Sequence, residues 1–309
     1  MLGWFGHQNL GDELILEGIK KLFSGWHVNV YSDTDRSSYP TLDLKAVNDS
    51  DLFVVGGGEL IHRDRLFYYS PFVRHTNIPA FLHRWFSFGW AWRVKTTKII
   101  LGCGLESKDG FINGAVYSDL YNCQYIGIRD TWSFDRLKEA KVKGVEFFPD
   151  LTYALNLKSA VKTKEDLAVV IPTNRSHLDT VNQSRKWLTK LLAKYREVAF
   201  IPFGRQDNDD YITCLQLSAS FKNSYVLEHK DVTLEKVIEL FSSCGLVVPY
   251  RLHGLILAHV LGKQFKFWPY HTKLTRMFHT VHGKTPEELM ETQKLNFDRL
   301  MDKLEIDTF

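Results

Sequence analysis

Arg251 and His253 are the pair of side chains in this sequence best suited to act on an anion. They stand in Cys244–Ala258, where an apolar run, Leu246-Val247-Val248-Pro249, passes through Tyr250-Arg251-Leu252-His253 into a second apolar run after Gly254. In extended backbone, residues two apart point to the same side, so the spacing predicts that Arg251 and His253 address one ligand together. A guanidinium grips phosphate or carboxylate through two parallel hydrogen bonds. An imidazole, with an ordinary pKa of about 6.5, takes and returns protons near neutrality. A helix starting after Gly254 adds its positive end to the same spot. A lone strand-end histidine is more often structural; the neighbouring arginine and the helix start are what point this one to function. Lys273, in Trp268-Pro269-Tyr270-His271-Thr272-Lys273, is a second cation for the same ligand or else a solvated loop lysine. Arg175, in Pro172-Thr173-Asn174-Arg175, directly follows another strand-like run, whereas Phe203-Gly204-Arg205-Gln206-Asp207 reads equally well as plain surface.

Three further turns carry candidates. Gly3-Trp4-Phe5-Gly6-His7-Gln8-Asn9-Leu10-Gly11-Asp12-Glu13 runs into a helix expected from about Leu14. Its glycines and helix start suit an anion, and Asp12 suits a plain helix cap equally well. The spacing matches neither the Walker pattern nor a strict GxGxxG, which removes support for ATP and NAD. Asp51–Leu60 reads as a strand ending in Gly56-Gly57-Gly58, followed by Glu59, where unusual dihedrals or bare main chain are required. Gly102-Cys103-Gly104 repeats that theme more weakly. Tyr125-Ile126-Gly127-Ile128-Arg129-Asp130 and Phe147-Phe148-Pro149-Asp150 complete the set. A strand-end arginine beside an aspartate most often makes an ion pair that fixes the turn, and Arg129 reaches a ligand only by facing outward.

The elements that must position these residues follow from periodicity. Short runs rich in β-branched or aromatic residues alternate with longer amphipathic segments, the pattern of parallel sheets with crossover helices. Strands are expected at 28–31, 52–55, 98–101, 125–128, 168–171, 198–201, 225–227 and 246–248, with Met1–Trp4 as the end of a first strand that started upstream. In such folds ligands bind at the carboxyl ends of the strands, where the candidate turns lie. A polar stretch between Leu157 and Glu165 divides the chain into two αβ halves, 1–158 and 165–283. From 285 to 309 a terminal helix opens on Thr-Pro-Glu-Glu and packs through Leu289, Leu295, Leu300 and Leu304.

Composition narrows the class. At 309 residues with 44% hydrophobic content, the chain can bury a substantial core, and a net charge of +3 gives no reason to expect nucleic acid as a partner. Cys103, Cys123, Cys214 and Cys244 form no CxxC pair or zinc pattern, so they are expected to be reduced, with no metal. No targeting segment or apolar run of about eighteen residues is present, which points to a cytoplasmic location. The aromatic and basic segment 62–95 is interrupted by Arg74, His75, His83 and Arg84. It suits either an acceptor-covering surface or peripheral membrane association.

In order and spacing, Gly6-x-x-Asn9-x-Gly11-Asp12-Glu13, Gly56–Gly58, Arg129-Asp130, Pro149-Asp150, Arg175, Arg251-x-His253 and Tyr270-x-x-Lys273 together resemble the polysaccharide pyruvyltransferase family. That resemblance implies an α/β fold of two Rossmann-like domains facing across a cleft, similar to B-type glycosyltransferases. It also implies phosphoenolpyruvate as donor substrate, no cofactor, and a saccharide or lipid-linked saccharide as acceptor, joined as a pyruvate ketal. By position, Arg251 and His253 match the donor-binding and catalytic pair, with Lys273, Arg175 and Arg129 as further donor cations. Asn9, Asp12, Gly57, Gly58, Glu59 and Asp150 match the acceptor side or cleft, so the N-terminal half is expected on the acceptor side and the C-terminal half on the donor side. The truncated first strand and the aromatic 62–95 segment depart from the pattern. Two rival readings share the architecture: a nucleotide-sugar glycosyltransferase, in which Arg251 and Lys273 hold a diphosphate, and a non-catalytic carbohydrate-binding protein.

Overall fold

The computed structural model describes residues 1–32, 37–61, 94–106, 120–158, 161–173, 178–204, 210–269 and 271–305, without the side chains of 178–182. Arg175, Tyr270, Arg205 and nearly all of the 62–95 segment lie outside the described residues. The chain forms two compact units. One comprises Met1–His7, Ile15–Leu155 and Met290–Phe309; the other comprises Gln8–Leu14 and Asn156–Leu289. Residues 8–14, expected with the N-terminal half, thus belong to the second unit, and most of the terminal helix belongs to the first.

In the first unit the strands β1 (Leu2–Gly3), β2 (Tyr31–Ser32), β3 (Leu52–Ile61), β4 (Thr97–Leu105), β5 (Tyr125–Ile128) and β6 (Val145–Phe147) form one parallel sheet ordered β2-β1-β3-β4-β5-β6. Period-two alternation clothes both faces, as a parallel sheet requires. Val54, Ile99, Leu101 and Tyr125 face helix α1 (Leu10–Leu22) through Ile15, Leu16 and Ile19, while Phe53, Val55, Ile100 and Ile126 join the opposite core. Strand β6 was not foreseen: three residues, Val145-Glu146-Phe147, are too short to register as a pattern. The second strand lies at Tyr31–Ser32, later than expected. Two short helices, α2 (Leu44–Asn48) and α3 (Thr131–Glu139), begin on aspartates: Asp43 Oδ1 accepts from Lys45 N and Asp130 Oδ1 from Ser133 N.

The glycine run does not end its strand. β3 continues through it to Ile61, with Gly57 and Gly58 at φ of 73° and 76°. A Cβ on Gly57 would collide with the Ile15 side chain, and one on Gly56 with Ile19. The bare main chain is therefore required by helix α1 itself, which lies directly on the strand.

In the second unit β7 (Lys164–Ile171), β8 (Glu197–Phe200), β9 (Ser224–Val226) and β10 (Cys244–Pro249) form a parallel sheet ordered β10-β7-β8-β9. The connecting helices are α4 (Leu178–Leu192), α5 (Tyr211–Ser218), α6 (Leu234–Ser243), α7 (Leu252–Val260) and α8 (Thr272–Val281). Ala168, Val170, Val198, Phe200, Leu246 and Val248 carry one side of its core. Helix α7 is apolar nearly all round and buried from Gly254 to Val260, as its sequence of Leu, Ile and Ala requires.

The last helix, α9 (Pro286–Lys303), opens as its sequence predicts: Thr285 N donates to Glu288 Oε2 at 2.7 Å, and Glu288 N to Thr285 Oγ1 at 3.2 Å. Leu289, Leu300 and Leu304 pack as expected, whereas Leu295 is exposed and Phe297 and Met301 join Leu300 in the first unit's core. The four cysteines are free, and Cys103, Cys214 and Cys244 are buried. Among the described residues no helix is long and apolar enough to cross a membrane.

Candidate functional site

In the second unit the strand order reverses between β7 and β10. The first strand, β7, has the later β8 and β9 on one side and β10 on the other, and a crevice opens at the carboxyl ends of such a pair. Tyr250 N donates to Ile171 O at 2.8 Å, so the two strands leave the sheet side by side. Their exits carry Thr173 and Arg251. The Tyr250 side chain turns inward, where its hydroxyl bonds Ser184 Oγ at 2.7 Å. Burial pushes that phenol up to about 12 despite the Ser184 bond, so it anchors the exit and stays protonated.

Arg251 and His253 do not share an extended strand, as the i, i+2 spacing suggested. Arg251, at φ −110° and ψ 143°, is the cap of α7, and His253 already lies in the first helical turn. The chain turns from β10 into the helix at Leu252, three residues earlier than the start after Gly254 that the sequence pattern implied. Gly254 permits this, since a Cβ there would stand 3.1 Å from that of Pro249. Both side chains are nevertheless at the helix head, where the helix dipole favours an anion.

Each of the two is fixed by a segment distant in sequence. Arg251 lies against the wholly buried Asp210, Nη2 donating to Oδ1 at 2.6 Å and Nε standing 2.5 Å from Oδ2. Asp210 was missed in the sequence because it ends the run Asp207-Asn208-Asp209-Asp210, which reads as a solvated acidic loop. The only available signal was that α5, with its apolar start, follows immediately. His253 lies on the backbone of Gly11, where a Cβ would collide with Nδ1.

The Gly11 segment is itself tied to the second unit. Asn9 forms an antiparallel bridge with Gly204, and Leu10 N donates to Phe203 O at 2.9 Å. Helix α1 starts at Leu10, not near Leu14, and Asn9 occupies the cap position: its Oδ1 accepts from Gly11 N at 3.2 Å. Asp12, expected as the cap, accepts instead from Asn9 Nδ2 at 2.6 Å. The structure thus brings Asn9, Gly11 and Asp12 into one unit with Arg251 and His253. Lys273 opens α8 in that unit, its backbone N bound to His271 Nδ1 at 3.1 Å.

Arg129, Asp150, Gly57, Gly58 and Glu59 belong to the first unit. Arg129 is 3% exposed and donates through Nη1 to Asp150 Oδ2 at 3.1 Å; the expected partner, Asp130, spends its carboxylate on Ser133. Asp150 Oδ1 also takes Thr152 N and Oγ1, at 3.0 and 2.8 Å. Burial works against the Arg129 charge, but Asp150, Glu59 and Asp130 outweigh it and raise its pKa. Burial likewise raises Asp130, against the Ser133 bonds. Gly104 lets this group close up, since a Cβ there would meet Asp130 Oδ2 at 3.1 Å and Arg129 Nε at 3.3 Å.

The family model for polysaccharide pyruvyl transferase matches residues 9–266. The chain belongs to that family. The matched span begins at Asn9, the cap that reaches Gly204, and takes in Arg251 and His253. No curated protein matches this chain. Solved structures that resemble it include a protein from Listeria monocytogenes provisionally described as a UDP-N-acetylglucosamine 2-epimerase (TM-score 0.55, 9% identity, covering 96% of this chain and 87% of that one). MnaA from S. aureus, solved with UDP, is similar at TM-score 0.54 and 10% identity, with the same coverage of 96% and 87%. At this identity the likeness concerns fold alone. The chain is α/β, with two parallel sheets, and shares its fold with these proteins.

Proposed function

We propose that this chain transfers the pyruvyl group of phosphoenolpyruvate to a saccharide, forming a ketal. The observation that carries the reading is the place of Arg251 and His253: at the strand-order reversal of the second unit and at the head of α7, inside a chain of the polysaccharide pyruvyl transferase family. Phosphoenolpyruvate carries a phosphate and a carboxylate, so its site needs several fixed cations. Arg251 is the first, with Lys273 and Arg175 to complete the set. Arg129 is left out of it, because Asp150 and near-complete burial already occupy that guanidinium.

In the proposed reaction the enol methylene takes a proton and a saccharide hydroxyl loses one as its oxygen attacks C2. The C2–phosphate bond then breaks, and a second hydroxyl attacks C2 and loses its proton, which leaves with the phosphate. His253 is the group that holds and returns these protons. Asn9 and Asp12 stand on the turn under the imidazole, and Gly57, Gly58, Glu59 and Asp150 are proposed for the acceptor side. The acceptor is a saccharide, free or lipid-linked, met in the cytoplasm or at a membrane surface.

The first test is a phosphoenolpyruvate titration followed by thermal unfolding, with Arg251→Ala measured against its own baseline and a panel of nucleotide sugars in parallel. A saturable rise in Tm, absent in Arg251→Ala, is expected. Stabilisation by a nucleotide sugar, and none by phosphoenolpyruvate, would replace this reading with the glycosyltransferase one. His253→Ala is then expected to lower phosphate release by about 10²–10⁴-fold while leaving donor binding largely intact. Turnover equal to the parent would remove His253 from the mechanism.

A further inference from the structure

We infer that Trp4, backed by His7, is the platform on which a sugar ring of the acceptor stacks; the inference rests on the proposed transfer to a saccharide. In the first unit the strand order reverses between β1 and β3: β1 has β2 on one side and the later β3 to β6 on the other. In open parallel sheets ligands bind at such a reversal, outside the carboxyl ends of the strands. Trp4 is the first residue after β1. The two strands lie close there, since a Cβ on Gly3 would stand 2.9 Å from Gly56 O, and β3 goes on to Glu59, already proposed for the acceptor.

The turn is held by groups other than the indole. Ser37 Oγ donates to Phe5 O at 2.6 Å, Ser38 N donates to Gly6 O at 3.3 Å, and Gly6, at φ 75°, brings the main chain against both serines. Phe5 is 1% exposed in the core beneath α1, whereas Trp4 keeps part of its surface. The indole is stacked on His7, with ring centroids 4.2 Å apart and planes 20° from parallel. His7 is held in its turn, its Nε2 lying 3.3 Å from the Oγ of the wholly buried Ser32. The indole plane is therefore fixed before a ligand arrives, and a side chain with few torsions loses little freedom on binding. A sugar ring matches such a plane, because it carries C–H bonds on its faces and hydroxyls round its rim. The indole offers the corresponding parts, an apolar face and one N–H donor at its edge.

The test reads Trp4 directly. In protein labelled with fluorotryptophan, the ¹⁹F signal of Trp4 is assigned by its loss in Trp4→Phe. Trp26, edge-on to Phe23 and assigned through Trp26→Phe, is the internal reference. Methyl hexopyranosides of gluco, galacto and manno configuration are titrated with and without phosphoenolpyruvate, with glycerol as control and uridine for the rival nucleotide-sugar reading. A saturable shift of the Trp4 signal by at least one glycoside, with Trp26 unmoved, is expected. With that glycoside as acceptor, Trp4→Ala is expected to raise its KM about tenfold, the size of one lost stacking contact, while kcat and the KM for phosphoenolpyruvate stay near the parent. Trp4→Phe is expected to recover most of that affinity. A merely structural Trp4 would change Tm and leave the saccharide KM in place. A Trp4 signal that moves with no glycoside, or only with uridine, overturns the inference. If Trp4→Ala does not fold, the ¹⁹F titration of the parent decides. If phosphoenolpyruvate neither binds nor is turned over, the proposed reaction falls, and the response of Trp4 to the glycosides still judges the platform.

Discussion

Among the described residues, each unit contains one buried arginine–aspartate pair, and the two pairs differ in what surrounds them. Arg129–Asp150 in the first unit is closed: Arg129 is 3% exposed, Asp150 also receives two bonds from Thr152, and Glu59 and Asp130 add further negative charge. Arg251–Asp210 in the second unit stands at a helix head where two strands part, and the arginine side chain keeps 10% of its surface. The same two residue types make a tie inside a core in one place and a pair at the head of a helix in the other.

The largest effect expected on this comparison is at the closed pair. Arg129→Met removes the counter-charge of a buried carboxylate, which costs about 3–5 kcal/mol when one partner alone is lost. Urea unfolding is expected to show a lower midpoint with the slope unchanged. Adding Asp150→Asn is expected to recover part of the loss, because the amide oxygen can still accept from Thr152 while the stranded charge is gone. A single variant as stable as the parent would break the distinction between the two pairs.

The next effect is on the open side. Gly11→Ala places a Cβ where the His253 ring lies, so the ring must move or the Asn9–Gly204 segment must lift. Small misplacements of a reacting group can cost about 10²-fold. The expected result is lower phosphate release with little change in the apparent affinity for phosphoenolpyruvate, since Arg251 is held separately by Asp210. An equal loss of both would mean that the pair moves as one body.

Much of this was legible in the sequence, and the limits have physical causes. Apolar runs located Tyr125–Ile128 to the residue, placed β8, β9 and β10 to within two residues, and found part of β3, β4 and β7, each of which is longer than expected. Arg251 and His253 stood out because strand, arginine, histidine and helix are consecutive. Asp210 did not, because the pairing that buries it spans 41 residues and leaves no local trace. The glycines of β3 were noticed for the right reason, their need for bare main chain, but what presses on two of them is Ile15 and Ile19 of the first helix. Spacing shows that a backbone must be approached; it does not show by what.

The smallest expected effect is a response to acid specific to the second unit. His259, on the buried face of α7, has Nε2 3.0 Å from Lys284 O. Burial lowers its pKa below 6.5, against the Lys284 carbonyl and Glu287, which raise it. A histidine whose folded pKa is depressed binds its proton better when unfolded, so it contributes nothing above pH 6.5 and costs stability as pH falls through and below that value. The helix that presents Arg251 and His253 is therefore expected to loosen in mild acid, whereas the Arg129 guanidinium, whose pKa is raised, keeps its charge there. Tm measured from pH 7.5 to pH 5.5 is expected to fall less steeply in His259→Gln than in the parent. Parallel curves would show that the head of α7 feels no acid through its own core.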